Sequence, residues 1–175
     1  MFNVAQCDGL PEEFNVVPQP LSDCELVPLA EALIAATGAD FRIGGDAAFY
    51  VPSHDFIRIP QQSSFTDQIN YYRTAFHELG HWTGHKTRLD RSLTTKSGTV
   101  DYAREELVAE LATAFVCASI GIIPTRSHAD YIGNWLQVRN EDASAMVLAA
   151  SLAWKASDCI LQFQSRPVAP ELESE

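Results

Sequence analysis

The strongest constraint on the fold of this chain is a helical segment that ends in the motif HExxH, at residues 77–81. Apolar residues recur at helical spacing before and within it, namely Phe65, Ile69, Tyr72, Phe76 and Leu79. This stripe predicts an amphipathic helix with one face in the core. His77 and His81 are four residues apart, so their side chains project from one face of that helix, about 40° apart around its axis.

HExxH on a helix is the arrangement in which two histidines bind one metal ion and the glutamate acts on a water molecule. Neutral imidazole is a common zinc ligand, and a catalytic zinc site keeps one position open for water. Glu78 lies beside both histidines and is placed to be the general base. We therefore expect His77 and His81 to bind Zn²⁺ and Glu78 to be catalytic, with a chance match of the motif as the alternative.

A catalytic zinc site also needs a third protein ligand. The metzincin pattern would place a histidine six residues after His81, but that position is Thr87. His85 lies about 80° around the helix from His77, and a residue there more often caps the helix end. The acidic segment at residues 105–110 is the better candidate, although acidic residues also favour a helix N-terminus without any metal.

The remaining sequence predicts an α+β domain. A first helix should run from Ser22 to Gly38, and β-rich segments follow at 41–43, 48–51 and 56–59, which predict a small antiparallel or mixed sheet. A capping box of Ser64 and Asp67 should begin the helix that carries HExxH. The pattern then predicts a loop at 87–99 and helices at 105–119, 129–139 and 141–163.

Composition and charge limit the class of protein. With 175 residues, 46% of them hydrophobic, the chain can form one core, and we predict one domain at 1–165 and an acidic disordered tail at 166–175. No segment has the roughly 18 uninterrupted apolar residues of a membrane span, and the N-terminus lacks a signal peptide, so we expect a cytoplasmic protein. Four scattered cysteines favour free thiols.

Three blocks of the sequence carry a family resemblance. Residues 71–85 read YYRTAFHELGHWTGH, residues 105–111 read EELVAEL, and residues 128–136 contain HADYI and WL. In this order they resemble the zincin-like metallopeptidase domain of the ArdC family of antirestriction proteins, which includes TraC-type primases and phage polyvalent proteins. The resemblance covers residues 4–161. It implies a zincin-like α+β fold, in which a small sheet packs on an active-site helix, and a zinc metallopeptidase of a plasmid or phage that is linked to antirestriction.

The resemblance also assigns roles to the acidic segment. In the broader gluzincin pattern, a glutamate on the second helix is a metal ligand, and an acidic or amide residue one turn later hydrogen-bonds a ligand histidine. On this pattern Glu106 is the third zinc ligand and Glu110 holds a ligand histidine. Glu105 is the rival of Glu106, one position away.

Two further roles follow from the resemblance to zincins, where the substrate lies antiparallel to an edge strand beside the active-site helix. Phe49, Tyr50 and Val51 are the expected edge strand, although their alternation fits a core strand equally well. His128 and Tyr131 are candidates to stabilise the oxyanion, although a structural role is the commoner one for such residues.

The expected partner is therefore a peptide or protein substrate. In family members the metallopeptidase domain follows a domain that binds single-stranded DNA, which we do not find in this sequence. A net charge of −11 also repels phosphate, so we expect no binding of nucleic acid by this chain alone. The alternative function is an antirestriction binding protein whose zinc site is structural and non-proteolytic. An intact Glu78 favours hydrolysis, because a structural metal needs no general base.

Overall fold

The computed structural model describes residues 23–93, 99–122 and 143–164, with side chains from residue 28 in the first range and from 145 in the last. The elements in chain order are α1 (Asp23–Thr37), β1 (Asp40–Ile43), β2 (Phe49–Val51), β3 (Phe56–Ile59), α2 (Gln68–Trp82), α3 (Val100–Ser119) and α4 (Ala143–Leu161), with one 3-10 turn at Gln62–Ser64. The predicted α+β class, a small sheet with several helices, is confirmed. The helix predicted at 129–139, the residues His128 and Tyr131, and the tail at 166–175 lie outside the described residues.

The sheet has the strand order β1-β3-β2 and is mixed. β3 pairs in parallel with β1 and antiparallel with β2, so that Ile57 has Phe41 on one side and Tyr50 on the other. Alternation in the sequence did not distinguish a mixed from an antiparallel sheet, because it reports the face that a residue occupies and not the neighbouring strand. β2 therefore forms an edge of the described sheet.

The two helices that carry the motifs, α2 and α3, do not begin where the sequence predicted. α2 begins after Asp67, whose side chain accepts a hydrogen bond from the backbone N–H of Ile69 at 3.0 Å. The Ser64 cap is wrong, since Ser64 closes the 3-10 turn. α3 begins at Val100 rather than at 105, because Thr99 caps it by accepting from the N–H of Tyr102 at 3.2 Å. The acidic segment 105–110 consequently lies inside α3, not at its N-terminus.

α2 lies at the centre of the core. The part of the predicted apolar stripe that lies in α2 is buried, with Tyr72, Phe76 and Leu79 fully covered by α1, the sheet and the end of α3, whereas Phe65 precedes the helix and is half-buried. α3 and α4 pack closely through small residues on α4, namely Ala145, Ala149, Ala153 and Ala156. None of the described helices is long and apolar enough to cross a membrane. With α2 fixed in this way, the side of it that faces α3 carries the HExxH histidines.

Candidate metal centre

α2 and α3 meet at a close contact inside the HExxH motif. A Cβ atom at Gly80 would lie 3.0 Å from Cα of Ala109, which is tighter than nearly all side-chain contacts, so glycine lets the two helices approach this closely without displacement. Ala109 lies within the acidic segment of α3, between Glu106 and Glu110. The contact therefore brings the two histidines of α2 beside the carboxylates of α3.

Three potential metal ligands converge at this contact. The Nε2 atoms of His77 and His81 are 3.2 Å apart. Glu106 approaches both from α3, with Oε2 3.5 Å from Nε2 of His77 and Oε1 3.5 Å from Nε2 of His81. One ligand atom from each residue lies within 4.8 Å of the others, close enough to hold one metal ion. The structure thus brings together the three residues for which the sequence predicted metal ligation.

A carboxylate of α3 contacts the other ring nitrogen of each histidine. Nδ1 of His77 is 3.1 Å from Oε2 of Glu110, and Nδ1 of His81 is 3.3 Å from Oε1 of Glu105. Because an ionised carboxylate only accepts hydrogen bonds, each Nδ1 carries a hydrogen, and Nε2 of a neutral ring then bears a lone pair. Two such lone pairs and the Glu106 carboxylate repel one another unless a cation lies between them. The donor set therefore fits a divalent metal ion.

Glu105, the rival ligand, faces the Nδ1 side of His81 and is already paired. It accepts hydrogen bonds from Nη2 and Nε of Arg91 at 2.7 and 3.1 Å. The side chain of Arg91 is only 5% exposed, and it also donates to the backbone oxygen of Gly80 at 2.7 Å and to Oγ1 of Thr83 at 2.8 Å. Sequence reasoning missed Arg91, because no spacing in a polar loop indicates that its side chain returns to the helix before it.

His85, the other rival, lies apart from the three ligands. Its Nδ1 atom is 2.8 Å from Oγ1 of Thr87, and 3.9 Å from a carboxylate oxygen of Asp55. Its side chain is therefore turned towards the loop after α2, in keeping with the predicted position at a helix end.

Glu78 lies beside the ligand cluster and is 6% exposed. Burial raises the pKa of its carboxyl group above the usual range and outweighs the lowering by the nearby charges of the two histidines. A raised pKa suits a group that must take up a proton near neutral pH. The buried position of Glu78 beside the histidines therefore suits the general-base role that the sequence predicts.

The charges of the cluster also favour a cation at its centre. Burial lowers the pKa of His77, but hydrogen bonds to Glu106 and Glu110 outweigh it and raise the pKa to about 10. Burial likewise raises the pKa of Glu106, yet its hydrogen bond to His77 and the nearby charges of the histidines hold that pKa below the usual range. The carboxylates thus require a positive charge beside the imidazoles, supplied by a proton or by a metal ion.

A cleft of about 530 Å³ opens over the cluster. Phe49 and Tyr50 of β2 line it, whereas Val51 is not among its lining residues and pairs with Phe56 of β3. Tyr102 also lines the cleft, one turn before Glu106 on α3. Sequence reasoning missed Tyr102, because the predicted helix began at residue 105. In a helix that begins at Val100, Tyr102 lies four residues before Glu106 and on the same face.

Known proteins share these features. The model of a family described as zincin-like metallopeptidase matches residues 28–152. The chain is 41% identical over 170 residues to a DNA primase TraC of Escherichia coli, covering 96% of this chain and 16% of the primase. It is 39% identical over 168 residues to the protein y4eC of Sinorhizobium fredii, covering 94% of this chain and 53% of that protein. The chain therefore spans from about one sixth to about half of these relatives.

Two solved structures of the antirestriction protein ArdC from plasmid R388 are similar to this chain at 38% sequence identity. The Mn(II)-bound form has a TM-score of 0.72 and matches 94% of this chain and 61% of that one. The metal-free form has a TM-score of 0.69, with 93% and 59% matched. These similarities confirm the resemblance inferred from the three motif blocks. The family model covers most of the chain, which therefore belongs to the zincin-like metallopeptidases.

Proposed function

We propose that this chain is a zinc-dependent peptidase domain in which His77, His81 and Glu106 hold the ion and Glu78 is the general base. The observation that supports it is the convergence of three ligand groups, beside a buried glutamate, at the floor of an open cleft. A structural zinc site has four protein ligands, whereas a catalytic one has three and leaves a position for water. Three such ligands converge among the described residues, and this number supports a catalytic site.

Zn²⁺ is the ion that suits two imidazole nitrogens and one carboxylate oxygen. When bound, it would lower the pKa of a water molecule to about 7 and polarise the carbonyl to be cleaved. Glu110 and Glu105 would keep the two imidazoles in orientation, each from its Nδ1 side. The Mn(II)-bound form of ArdC supports a divalent ion in this family.

Glu78 would take a proton from the attacking water and pass it to the leaving amine. β2 lies at the edge of the described sheet, with Phe49 and Tyr50 on the cleft. An extended peptide can therefore add to β2 through main-chain hydrogen bonds. We propose a peptide or protein as the substrate, and no nucleic acid as a ligand of this chain alone, since its net charge is −11.

A second candidate function rests on the relatives. The similar structures are those of an antirestriction protein. One similar sequence is a DNA primase, and this chain matches only a part of it. In this alternative the domain protects incoming DNA by binding a partner, and its metal stabilises the fold without cleaving peptides. The fate of both activities after substitution of Glu78 separates the two candidates.

Removal of the metal should abolish peptide cleavage in a reversible way. Protein purified without added metal should contain one zinc per chain. After chelation, cleavage of a mixed peptide library should slow by at least about 10²-fold, because a bound ion supplies several kcal/mol of transition-state stabilisation. Elemental analysis and mass spectrometry of the library measure both effects, and added zinc should restore cleavage. A protein that neither contains nor takes up zinc would contradict the proposal.

The Glu105→Gln substitution should weaken zinc binding without removing a ligand. An amide accepts the hydrogen from Nδ1 of His81 less strongly, and it pairs less well with Arg91, so the ring is held less firmly. Loss of such a partner typically lowers metal affinity about 10- to 100-fold. Competition with a chromogenic chelator measures the affinity. Asp101→Asn, at an exposed acidic residue of the same helix, is the control and should change it less than about two-fold. Equal affinity in Glu105→Gln and wild type would exclude this role.

A further inference from the structure

A second polar cluster lies at the Tyr50 hydroxyl, and its other members, Asp55 and Arg88, are not among the residues that line the cleft over the metal ligands. The hydroxyl of Tyr50 donates to Oδ1 of Asp55 at 2.8 Å. Arg88 donates to both carboxylate oxygens of Asp55, with Nη1 3.0 Å from Oδ2, and its Nη2 is 3.3 Å from the Tyr50 hydroxyl. These hydrogen bonds hold the pKa of Asp55 below its usual range, so the carboxylate stays charged.

Arg88 is in turn fixed to the end of α2. Its Nε donates to the backbone oxygen of Trp82 at 2.6 Å, and its guanidinium group stacks over the Trp82 ring at 3.8 Å. Asp55 lies in the turn between β2 and β3, in the left-handed conformation with φ of 52°. The cluster of Arg88, Asp55 and Tyr50 thus joins three separate segments: the edge strand, the turn after it and the loop that follows α2.

Tyr50 connects this cluster to the cleft over the metal ligands. It lines the same cleft as Glu78, while its hydroxyl is held by Asp55 and Arg88. The shape of the cleft beside Glu78 therefore depends on where β2 lies relative to α2. The Arg88 side chain links the two elements: it donates to the backbone oxygen of Trp82 at the end of α2, and its Nη2 lies beside the Tyr50 hydroxyl on β2.

We propose that Arg88 is a positioning residue, which through Asp55 and Tyr50 holds the edge strand at the distance from Glu78 that the hydrolytic cleft requires. The proposal rests on the proposed hydrolytic function, in which Glu78 must lie within reach of the attacking water. Displacement of a reacting group by about 1 Å can cost about 10²-fold in rate. Loss of a support that does not touch the substrate should cost less than that.

The test uses Arg88→Met, Tyr50→Phe and the conservative Arg88→Lys. Arg88→Met removes the donors, and Tyr50→Phe removes only the hydroxyl while it keeps the ring and the backbone N–H. We expect both to lower kcat about 10-fold at unchanged zinc content, and to speed hydrogen exchange of the residue-50 amide by a similar factor, as measured by NMR. Arg88→Lys, which retains one charged donor, should recover part of both effects.

Arg42→Met is the matched control. Arg42 also pairs with an aspartate, Asp40 at 2.8 Å, and also stacks on an aromatic ring, Phe56 at 3.9 Å, but it is exposed on β1, at the other edge of the sheet. The Arg42→Met substitution should leave kcat and the hydrogen exchange of the Tyr50 amide unchanged.

Two results would overturn the inference: a kcat within about two-fold of wild type in both Arg88→Met and Tyr50→Phe, or a fall in kcat without faster exchange of the residue-50 amide. If Arg88→Met does not fold, Tyr50→Phe alone decides by the same two measurements. A wild type that binds zinc but cleaves no peptide would instead refute the proposed function. The exchange rates would then still show whether Arg88 holds the amide, and an unchanged rate would refute that as well.

Discussion

Glu78→Gln should abolish peptide cleavage while the fold and the zinc content remain. The amide has nearly the same shape as the carboxylate and can stay in the buried position beside the histidines. It cannot take a proton from water, however, and loss of a general base typically costs about 10²- to 10⁴-fold in rate. The rate is measured on a cleaved peptide from the library, with zinc content and thermal unfolding determined on the same sample.

Glu31→Gln is the control for this substitution. Glu31 is an exposed glutamate of α1 that accepts a hydrogen bond from the Tyr72 hydroxyl at 2.8 Å, remote from the cleft. It should keep full activity. The same Glu78→Gln variant also separates the two candidate functions, through protection of incoming DNA in a restricting host. If cleavage and protection fall together, hydrolysis is the mechanism. If wild type binds zinc without cleaving peptides, and protection survives in Glu78→Gln, the peptidase proposal is wrong.

His81→Ala should remove the metal itself. Loss of an outer partner of a ligand already weakens binding about 10- to 100-fold, so loss of one of three ligands should weaken it more than about 100-fold. At a zinc concentration near 100 times the wild-type Kd, the ion stabilises the folded protein by about 2.7 kcal/mol. For a chain of this size that raises Tm by roughly 5 to 10 °C. Wild type should show this shift, and His81→Ala should not.

His85→Ala provides the matched control, because it removes the same side chain four residues further along. The His85 ring contacts Thr87 and not the three converging ligands, so zinc content and the zinc-dependent rise in Tm should both persist. Elemental analysis and differential scanning calorimetry measure the two effects. Zinc loss in His85→Ala with retention in His81→Ala would reverse the assignment of the ligands.

The acidic segment of α3 shows how much a local pattern can predict. The resemblance to gluzincins singled out Glu106 as the ligand and Glu110 as the partner of a histidine, and the structure places them against Nε2 and Nδ1 of His77 respectively. That segment was also placed at a helix N-terminus, which is wrong, because Thr99 caps α3 one and a half turns earlier. Thr99 is one polar residue in a polar loop, so the sequence pattern did not mark it as the start of α3.

The sequence by itself determined that α2 is an amphipathic helix with two imidazoles on one face and a glutamate beside them, because these relations depend only on the helical repeat. It also indicated, through the order of its motif blocks, the family to which the chain belongs. The tertiary structure decided which carboxylate faces which nitrogen, since that depends on the close contact of Gly80 with Ala109. It likewise decided the roles of Arg91 and Arg88, whose partners lie on other elements. Contacts between elements follow from packing in three dimensions, and residue spacing along one element carries no record of them.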